Sequence, residues 1–310
     1  SIYLQAAKFL LDFDYIDLPK PSEAGSASDP NSPLFKEAIS RLQWFGNINV
    51  TGKLDSETVK LINTDRCGVK DPRVPPGASV GEFNLQGTSW DKREITYKII
   101  NYTRDGISPG RQRQIFRDAM KKWQDASGLT ITEVPEWSPA DIPISFVTKI
   151  HGDPFPFDGD GGTLAHAFYP HNNEGLSGDA HFDDAERFTT GTDDGVNLDW
   201  VAVHEFGHSF GLEHSNVQES IMFPWYKGYV ENIQLTDDDT KGIQALYPSK
   251  FDVLEITFVP RVQDGFSHVG MFQSHAVSKL VNRHPVQVNA IACSCAESFV
   301  VIKMRVTRQD

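Results

Sequence analysis

The sequence is poor in cysteine, in long apolar runs and in positive charge. Only three of its 310 residues are cysteines, Cys67, Cys293 and Cys295, so a disulfide scaffold is excluded. No apolar stretch approaches the ~20 residues that a membrane-spanning helix needs. Acidic residues outnumber basic ones by 42 to 29, and the net charge of −13 argues against binding to nucleic acid or an anionic membrane surface. We therefore expect a protein with neither a nucleic-acid partner nor a membrane span.

What the sequence does contain is a run of histidines, HEFGHSFGLEH, between His204 and His214. On an α-helix, His204 and His208 lie one turn apart on the same side, where two imidazoles can bind one metal ion. Gly211 is suited to the left-handed conformation that ends a helix, so the returning chain brings in His214 as a third ligand. Three protein ligands leave a fourth position open, which is typical of a catalytic zinc site. Glu205 lies beside this face and is the predicted general base.

With this motif the chain resembles the matrixins, the matrix metalloproteinase family of the metzincin clan, from about residue 4 to Pro248. Ser215 directly after the third histidine is the matrixin choice, and with Cys67 it disfavours another metzincin branch. Met222 falls where metzincins carry a Met-turn beneath the metal. The resemblance implies a zinc-dependent endopeptidase that hydrolyses proteins of the extracellular matrix or other extracellular proteins.

The pattern of apolar residues divides the matrixin-like part of the chain into three segments. Helical spacing predicts a small helical domain over 1–71, and a composition rich in Pro and Gly predicts a linker over 72–88. Mixed strand and helix patterns predict an α+β domain over 89–248. The resemblance implies a metzincin-type catalytic domain, with a twisted mixed five-stranded sheet and three helices. It also implies that the first segment is a three-helix propeptide, similar to peptidoglycan-binding modules.

The fourth segment, residues 249–310, matches no motif. It is too short for the four-bladed hemopexin propeller that many matrixins carry, so we expect a form without that domain. It contains strand-like runs at Val253–Val259 and Phe299–Val306. A disulfide between Cys293 and Cys295 would be strained, and whether the tail folds stays open.

A second group of metal ligands precedes the zinc helix. Three imidazoles and one carboxylate make a closed tetrahedral set, which suits a structural zinc. The resemblance assigns that zinc to His151, Asp153, His166 and His181.

The acidic, glycine-rich loop Phe157–Thr163 suits calcium, because carboxylates and inward-facing carbonyls are hard oxygen ligands. Asp183 and Glu186 follow His181 and can close the same site. The matrixin pattern assigns calcium to Asp158, Gly159, Gly161, Thr163, Asp183 and Glu186. It also suggests a second calcium near Asp141 and Asp179.

Cys67 precedes the predicted protease domain, and its thiolate is a strong zinc ligand. It resembles the matrixin cysteine switch, in which a propeptide cysteine takes the fourth zinc position and Arg66 pairs with Asp71. Two prolines of the family motif are replaced here by Asp65 and Lys70. No furin-type basic site lies between this latch and Phe83, so we expect a different activating protease.

The strand containing Ala165 resembles the edge along which matrixins bind an extended substrate. Trp200 falls where family members vary the depth of the specificity pocket, although simple core packing is an equal alternative.

The resemblance implies protein or peptide substrates, tissue-inhibitor-type protein inhibitors and an activating protease as partners. Sequons at Asn49 and Asn101 weakly favour secretion. A second hypothesis is a catalytically silent binding protein that uses the N-terminal module, and the intact Glu205 counts against it.

Overall fold

The fold is that of a computed structural model, which describes residues 1–17, 26–73, 85–171 and 175–248, and the strands 251–258, 286–296 and 299–308. Two compact units are present, Ser1–Pro248 and Ser249–Asp310. The predicted boundaries inside the first unit, at 71/72 and 88/89, stay predictions, because most of the predicted linker lies outside the described residues. Within the described residues, no helix combines the length and apolarity needed to cross a membrane.

The N-terminal segment folds into three helices, α1 Ile2–Asp12, α2 Pro33–Phe45 and α3 Ser56–Ile62, with a short 3₁₀ turn at Ser26–Ser28. Ser32 caps α2 by accepting from the N–H of Phe35 at 3.0 Å. Asp55 caps α3 through the N–H of Thr58, also at 3.0 Å. Leu4 belongs to the apolar repeat of α1 but is 61% exposed, because α1 turns Ala6, Phe9 and Leu10 inward instead.

The core of this helical segment is completed from outside it. Phe223 and Trp225, which follow the zinc helix in sequence, are buried in the same hydrophobic cluster as α1 and α2. The Trp225 indole also donates to the carbonyl of Leu61 at 3.0 Å. The N-terminal helices therefore bury part of their apolar surface against the α+β domain.

A six-stranded sheet organises the second segment, in the order β1-β5-β6-β4-β2-β3. β5 is antiparallel to β6, and the other neighbouring pairs are parallel. Five of the strands belong to the α+β domain, as predicted, and the sixth, β1, comes from the N-terminal segment. The strands are β1 Arg66–Cys67, β2 Glu94–Ile99, β3 Thr130–Glu133, β4 Ile142–Val147, β5 Thr163–Ala167 and β6 Ala180–Asp183.

Three helices pack with this sheet, α4 Pro109–Ala126, α5 Leu198–Ser209 and α6 Asp237–Leu246, in agreement with the predicted α+β class. A small parallel pair, β7 Phe188–Thr189 and β8 Val196–Asn197, leads into α5. The rings of Phe116 and Phe206 meet edge to face at 5.9 Å where α4 packs on α5. This packing fixes the histidine-bearing helix in the domain core.

The C-terminal unit contains a three-stranded antiparallel sheet in the order β10-β11-β9. Its strands are β9 Phe251–Phe258, β10 Val286–Ala296 and β11 Phe299–Arg308. Two of them coincide with the predicted strand-like runs. The third, β10, contains both Cys293 and Cys295 and was not predicted.

Candidate active site and metal centres

Helix α5 carries the predicted active site in the protein core. Asn197 caps it by accepting from the N–H of Trp200 at 2.8 Å. Gly207 permits a close approach, since a Cβ at this position would lie 2.3 Å from the Met222 sulfur. Gly211, with φ of 102°, turns the chain after the helix and returns His214 toward it.

The three histidines of the motif converge with their Nε2 atoms. The Nδ1 atom of His204 lies 2.6 Å from the carbonyl of Ile221, and that of His208 lies 2.7 Å from the carbonyl of Leu212. These contacts fix the tautomer that leaves Nε2 free for a metal. The Nε2 atoms of His204 and His214 are 3.3 Å apart. Burial lowers the pKa of all three imidazoles, which favours the neutral form that binds metal.

Cys67 is the fourth member of this group. Its Sγ lies 3.5 Å from Nε2 of His208, and the donor atoms of Cys67 and the three histidines all lie within 4.8 Å of one another. Burial and the nearby Glu205 carboxylate raise the pKa of the thiol, an effect that a bound zinc cation would reverse. One thiol and three neutral imidazoles are a donor set that fits zinc.

The segment around Cys67 is held along β5, the strand that the sequence predicts to bind substrate. β1 pairs in parallel with β5, with Cys67 opposite Ala165. The N–H of Gly68 donates to the carbonyl of Ala165 at 2.8 Å, and the N–H of Cys67 donates to the carbonyl of Pro224 at 3.0 Å. The chain therefore lies between β5 and the 224–226 segment, and it occupies the backbone groups of both.

A buried ion pair supports this segment. The Arg66 guanidinium donates to both carboxylate oxygens of Asp71, at 2.7 and 2.9 Å, and both side chains are almost fully buried. Arg66 also lies 3.6 Å from the centre of the Phe13 ring. Burial alone would raise the pKa of Asp71, but Arg66 and the hydrogen bond from His214 hold it at about 2. The predicted Arg66–Asp71 pair is thus present.

The two residues that replace family prolines also make contacts. Asp65 accepts from the N–H of Gly162 at 3.0 Å, and its carbonyl accepts from the N–H of Tyr226 at 2.9 Å. Lys70 forms an exposed ion pair with Asp14 at 3.5 Å. Both substitutions thus add contacts between the latch segment and its surroundings.

Glu205 is buried beside the histidine group. Burial raises its pKa to about 8. Within the described residues, its Oε2 atom finds no hydrogen-bond partner. A buried carboxylate with a free oxygen next to a metal-binding group is typical of a general base.

Met222, the predicted Met-turn residue, packs closely against the histidine-bearing helix, where a Cβ at Gly207 would lie 2.3 Å from its sulfur. It is 2% exposed, and its carbonyl accepts from the N–H of Ser215 at 2.9 Å. Asp239, on α6, accepts from the N–H groups of Ile221 and Met222 at 3.0 and 3.2 Å. Sequence analysis missed this support, because an acidic residue in the first turn of a helix is an ordinary cap.

The second histidine group also converges. Oδ2 of Asp153 lies 2.9 Å from His151 Nε2, 2.9 Å from His166 Nε2 and 2.8 Å from His181 Nδ1. Burial lowers the pKa of His166 to about 4, so its imidazole is neutral. All four donor atoms lie within 4.8 Å of one another. Four converging protein donors fit a closed tetrahedral zinc site.

Comparison with known proteins agrees with this geometry. The family model described as Matrixin matches residues 89–248. The chain belongs to the matrixin family.

Three relatives show how much of a matrixin this chain covers. It is 42% identical to matrilysin of Rattus norvegicus over 246 residues, which are 78% of this chain and 84% of that protein. It is 44% identical to the hatching enzyme of Paracentrotus lividus over 216 residues, 69% of this chain and 34% of the relative. Matrix metalloproteinase-2 of Drosophila melanogaster is 41% identical over 259 residues, 78% of this chain and 33% of the relative. The chain thus spans about a third of the last two proteins and most of matrilysin.

The predicted calcium loop of this matrixin has the backbone that its glycines allow. Gly159, Gly161 and Gly162 have φ values of 101°, 76° and 92°. Asp158 accepts from the N–H of Thr163 at 3.1 Å, and Asp183 accepts from that of Gly159 at 3.2 Å. These bonds close the loop at both of its ends.

Glu186, which is predicted to close this loop, has a carboxylate oxygen of the kind that a cation could bind. Its Oε1 is buried without a hydrogen-bond partner among the described residues, and burial raises its pKa to about 8. Within the same part of the chain, however, only the two histidine groups bring side-chain ligand atoms of three or more His, Cys, Asp or Glu residues within 4.8 Å of one another. Calcium in the loop therefore remains a prediction.

At the second predicted calcium site, one of the two carboxylates already has partners within the protein. The Asp141 carboxylate is already bonded to Lys92 at 2.6 Å and to the N–H of Thr96 at 2.8 Å. Burial raises the pKa of Asp179 to about 6. The Asp141 side chain is therefore already partnered within the protein, and a second calcium ion stays a prediction.

Trp200 lies in the core and also against the metal group. It is 3% exposed, and its indole stacks on the His204 ring with centroids 5.2 Å apart. The Tyr226 ring meets it edge to face at 5.5 Å. Trp200 therefore packs in the core in contact with His204, and its effect on the depth of a specificity pocket stays a prediction.

Proposed function

We propose that this matrixin is the latent form of a secreted zinc endopeptidase, activated when its propeptide is removed. The observation that carries the proposal is the buried group of Cys67, His204, His208 and His214, whose donor atoms converge within 4.8 Å. Three histidines alone suit a catalytic zinc site, and the cysteine occupies the position that catalysis needs open.

Zinc bound by the three histidines would supply Lewis-acid polarisation of the scissile carbonyl and of the attacking water. Glu205 takes a proton from that water and then delivers it to the leaving amine. Burial raises the pKa of this carboxyl and so favours the protonated form that delivers the proton, whereas the charge of a bound zinc would favour the carboxylate that accepts it. The stacked Trp200 and the carbonyl of Ile221 hold the His204 ring in position.

Latency follows from the position of β1. The propeptide strand uses the Ala165 carbonyl and the 224–226 segment, which an extended substrate would also use. Once the strand leaves, these groups become available for a peptide backbone. The buried Trp200 then limits the depth of the pocket beside the zinc, which favours small or medium substrate side chains.

Other parts of the proposal rest on the resemblance and on the family. The second histidine group holds a structural zinc, and the loop of Asp158, Asp183 and Glu186 holds at least one calcium ion. Substrates are extracellular proteins, including matrix proteins. Tissue-inhibitor-type proteins are inhibitors, and a separate protease cuts between the latch and the catalytic domain.

The test is to measure zinc content and peptidase activity of the full chain before and after cleavage within residues 72–88. We expect two zinc ions per chain throughout, and activity only after cleavage. Cys67→Ser should give partial activity without cleavage, because a neutral hydroxyl is a poor zinc ligand while β1 still competes with substrate for the Ala165 carbonyl. Two zinc ions with no activity in any of these forms would contradict the proposal and favour a binding role.

A further inference from the structure

His214, the third proposed zinc ligand, differs from His204 and His208 in the partner of Nδ1, the ring nitrogen that does not face the metal. Nδ1 of His204 and of His208 faces backbone carbonyls of the protease domain. Nδ1 of His214 instead faces Oδ1 of Asp71, at 2.8 Å, across 143 residues of sequence. This carboxylate belongs to the propeptide segment.

We propose that Asp71 is a positioning residue for the catalytic zinc, orienting His214 and tightening zinc binding for as long as the propeptide stays in place. The inference rests on the zinc site proposed above. It assigns the propeptide a second action on the metal, separate from the thiol of Cys67.

The physical basis is the effect of a carboxylate on a metal-binding imidazole. When Nδ1–H donates to a carboxylate, the proton is held on Nδ1, the ring orientation is fixed and Nε2 becomes a more basic ligand. The contact is buried, with His214 0% and Asp71 1% exposed at their side chains. Low local dielectric strengthens a hydrogen bond of this kind.

The surroundings of Asp71 keep its carboxylate charged and in place. Arg66 donates to both oxygens, and the hydroxyl of Tyr15 donates to Oδ2 at 2.7 Å. The N–H of Asp71 donates to the carbonyl of Phe13 at 3.3 Å. Every one of these contacts comes from the propeptide segment, so the whole support leaves when that segment is removed.

One consequence concerns the two states of the chain. Activation removes the carboxylate from His214 as well as the thiol from the zinc. The latent chain should therefore bind zinc more tightly than the thiol alone explains. Acquisition of zinc is then favoured before cleavage.

The test uses the full chain with Cys67→Ser, so that the thiol no longer contributes. Zinc affinity is measured at equilibrium by competition with a chelating dye. Adding Asp71→Asn, which keeps the shape but removes the charge, should weaken zinc binding by about 10-fold or more, the size of effect known for such outer partners. Tyr15→Phe is the matched control, because it removes a hydrogen bond to Asp71 without touching His214, and it should change zinc affinity far less.

A second measurement distinguishes the positioning of His214 by Asp71 from a merely structural role of Asp71. With Co²⁺ in place of zinc, the visible absorption spectrum should change on Asp71→Asn and stay unchanged on Tyr15→Phe. If Asp71→Asn does not fold, Arg66→Gln with Asp71→Asn removes both charges together and should show the same loss of zinc affinity. Parent-like affinity and spectrum in the Asp71 variants would overturn the inference. Absence of zinc binding in the Cys67→Ser parent would overturn the proposed zinc site itself.

Discussion

At the scale of single residues, the proposed mechanism assigns proton transfer to Glu205. It is the buried carboxylate directly beside the first zinc ligand, and its pKa of about 8 comes from burial. The residue is not needed to hold the metal, because three imidazoles and their outer partners do so. A substitution of Glu205 can therefore separate proton transfer from metal binding.

Glu205→Gln should remove turnover while leaving zinc bound. Loss of a general acid–base group lowers the rate by about 10²–10⁴-fold. The measurement is peptidase activity of the cleaved chain together with its zinc content. Glu136→Gln, an exposed change in the same domain, should leave both unchanged. Full activity in Glu205→Gln would remove the residue from the mechanism.

The latch depends on the small size of Gly68. A Cβ at this position would lie 2.6 Å from the Cγ2 methyl of Thr163 on β5. Gly68→Ala should therefore push β1 away from β5 and expose the Cys67 thiol, which is measured by its rate of labelling with a thiol reagent. Thr163→Ser removes the clashing methyl group, so the double variant should label more slowly than Gly68→Ala. Equal labelling of Gly68→Ala and the parent would show that the latch does not need this close approach.

At the scale of elements, α5 is a helix whose position matters more than its intrinsic stability. It is buried on nearly all sides, between α4, the sheet and the Met-turn. Gly207 allows Met222 to pack closely against α5. Asp239 on α6 accepts a hydrogen bond from the N–H of Met222 and so holds the turn in place. The histidine group is therefore supported by three elements in series, because Met222 packs against Gly207 on α5 and Asp239 on α6 bonds to the backbone of Met222.

Gly207→Ala should destabilise the protease domain through this contact. The added Cβ would lie 2.3 Å from the Met222 sulfur and 3.0 Å from Trp123, and overpacking of this kind costs about 1–3 kcal/mol. The free energy of unfolding, measured with a chemical denaturant, should fall by that amount. Gly110→Ala on α4 is the control, since a Cβ there meets nothing within 4 Å. Wild-type stability in Gly207→Ala would mean that the Met-turn shifts freely.

At the scale of the whole molecule, the N-terminal helical segment and the matrixin domain share surfaces rather than only a linker. Phe223 and Trp225 complete the core of the N-terminal helices, and β1 extends the sheet of the protease domain. The glycine-rich loop lies at the same junction, where Asp65 accepts from Gly162. Loss of order in this loop should therefore lower the stability of both parts.

Calcium should stabilise the full chain through that loop. Raising free calcium to about 100 times its dissociation constant should add ~2.7 kcal/mol and raise the melting temperature. Glu186→Gln should reduce this rise, because it removes the charge of a buried carboxylate that a cation would pair. Zinc is kept saturating throughout, and Glu136→Gln serves as the control. A melting temperature that ignores calcium would eliminate the loop as a calcium site.

The sequence by itself determined the parts of the site that depend on local geometry. His204, His208 and Glu205 are related by the helical repeat, and Gly211 returns His214 because glycine tolerates a positive φ. Such relations are fixed within a few residues, so spacing alone predicts them. The α+β class followed from the same kind of periodicity.

Tertiary structure decided which distant groups meet that site. The contacts of Asp71 with His214, of Asp239 with the Met-turn and of Trp200 with Tyr226 each join separate elements. The packing of these elements sets the distances, and no local repeat encodes them. For the same reason the sixth strand appeared only in the structure, since two residues carry no periodicity of their own and pair only because β5 offers them an edge.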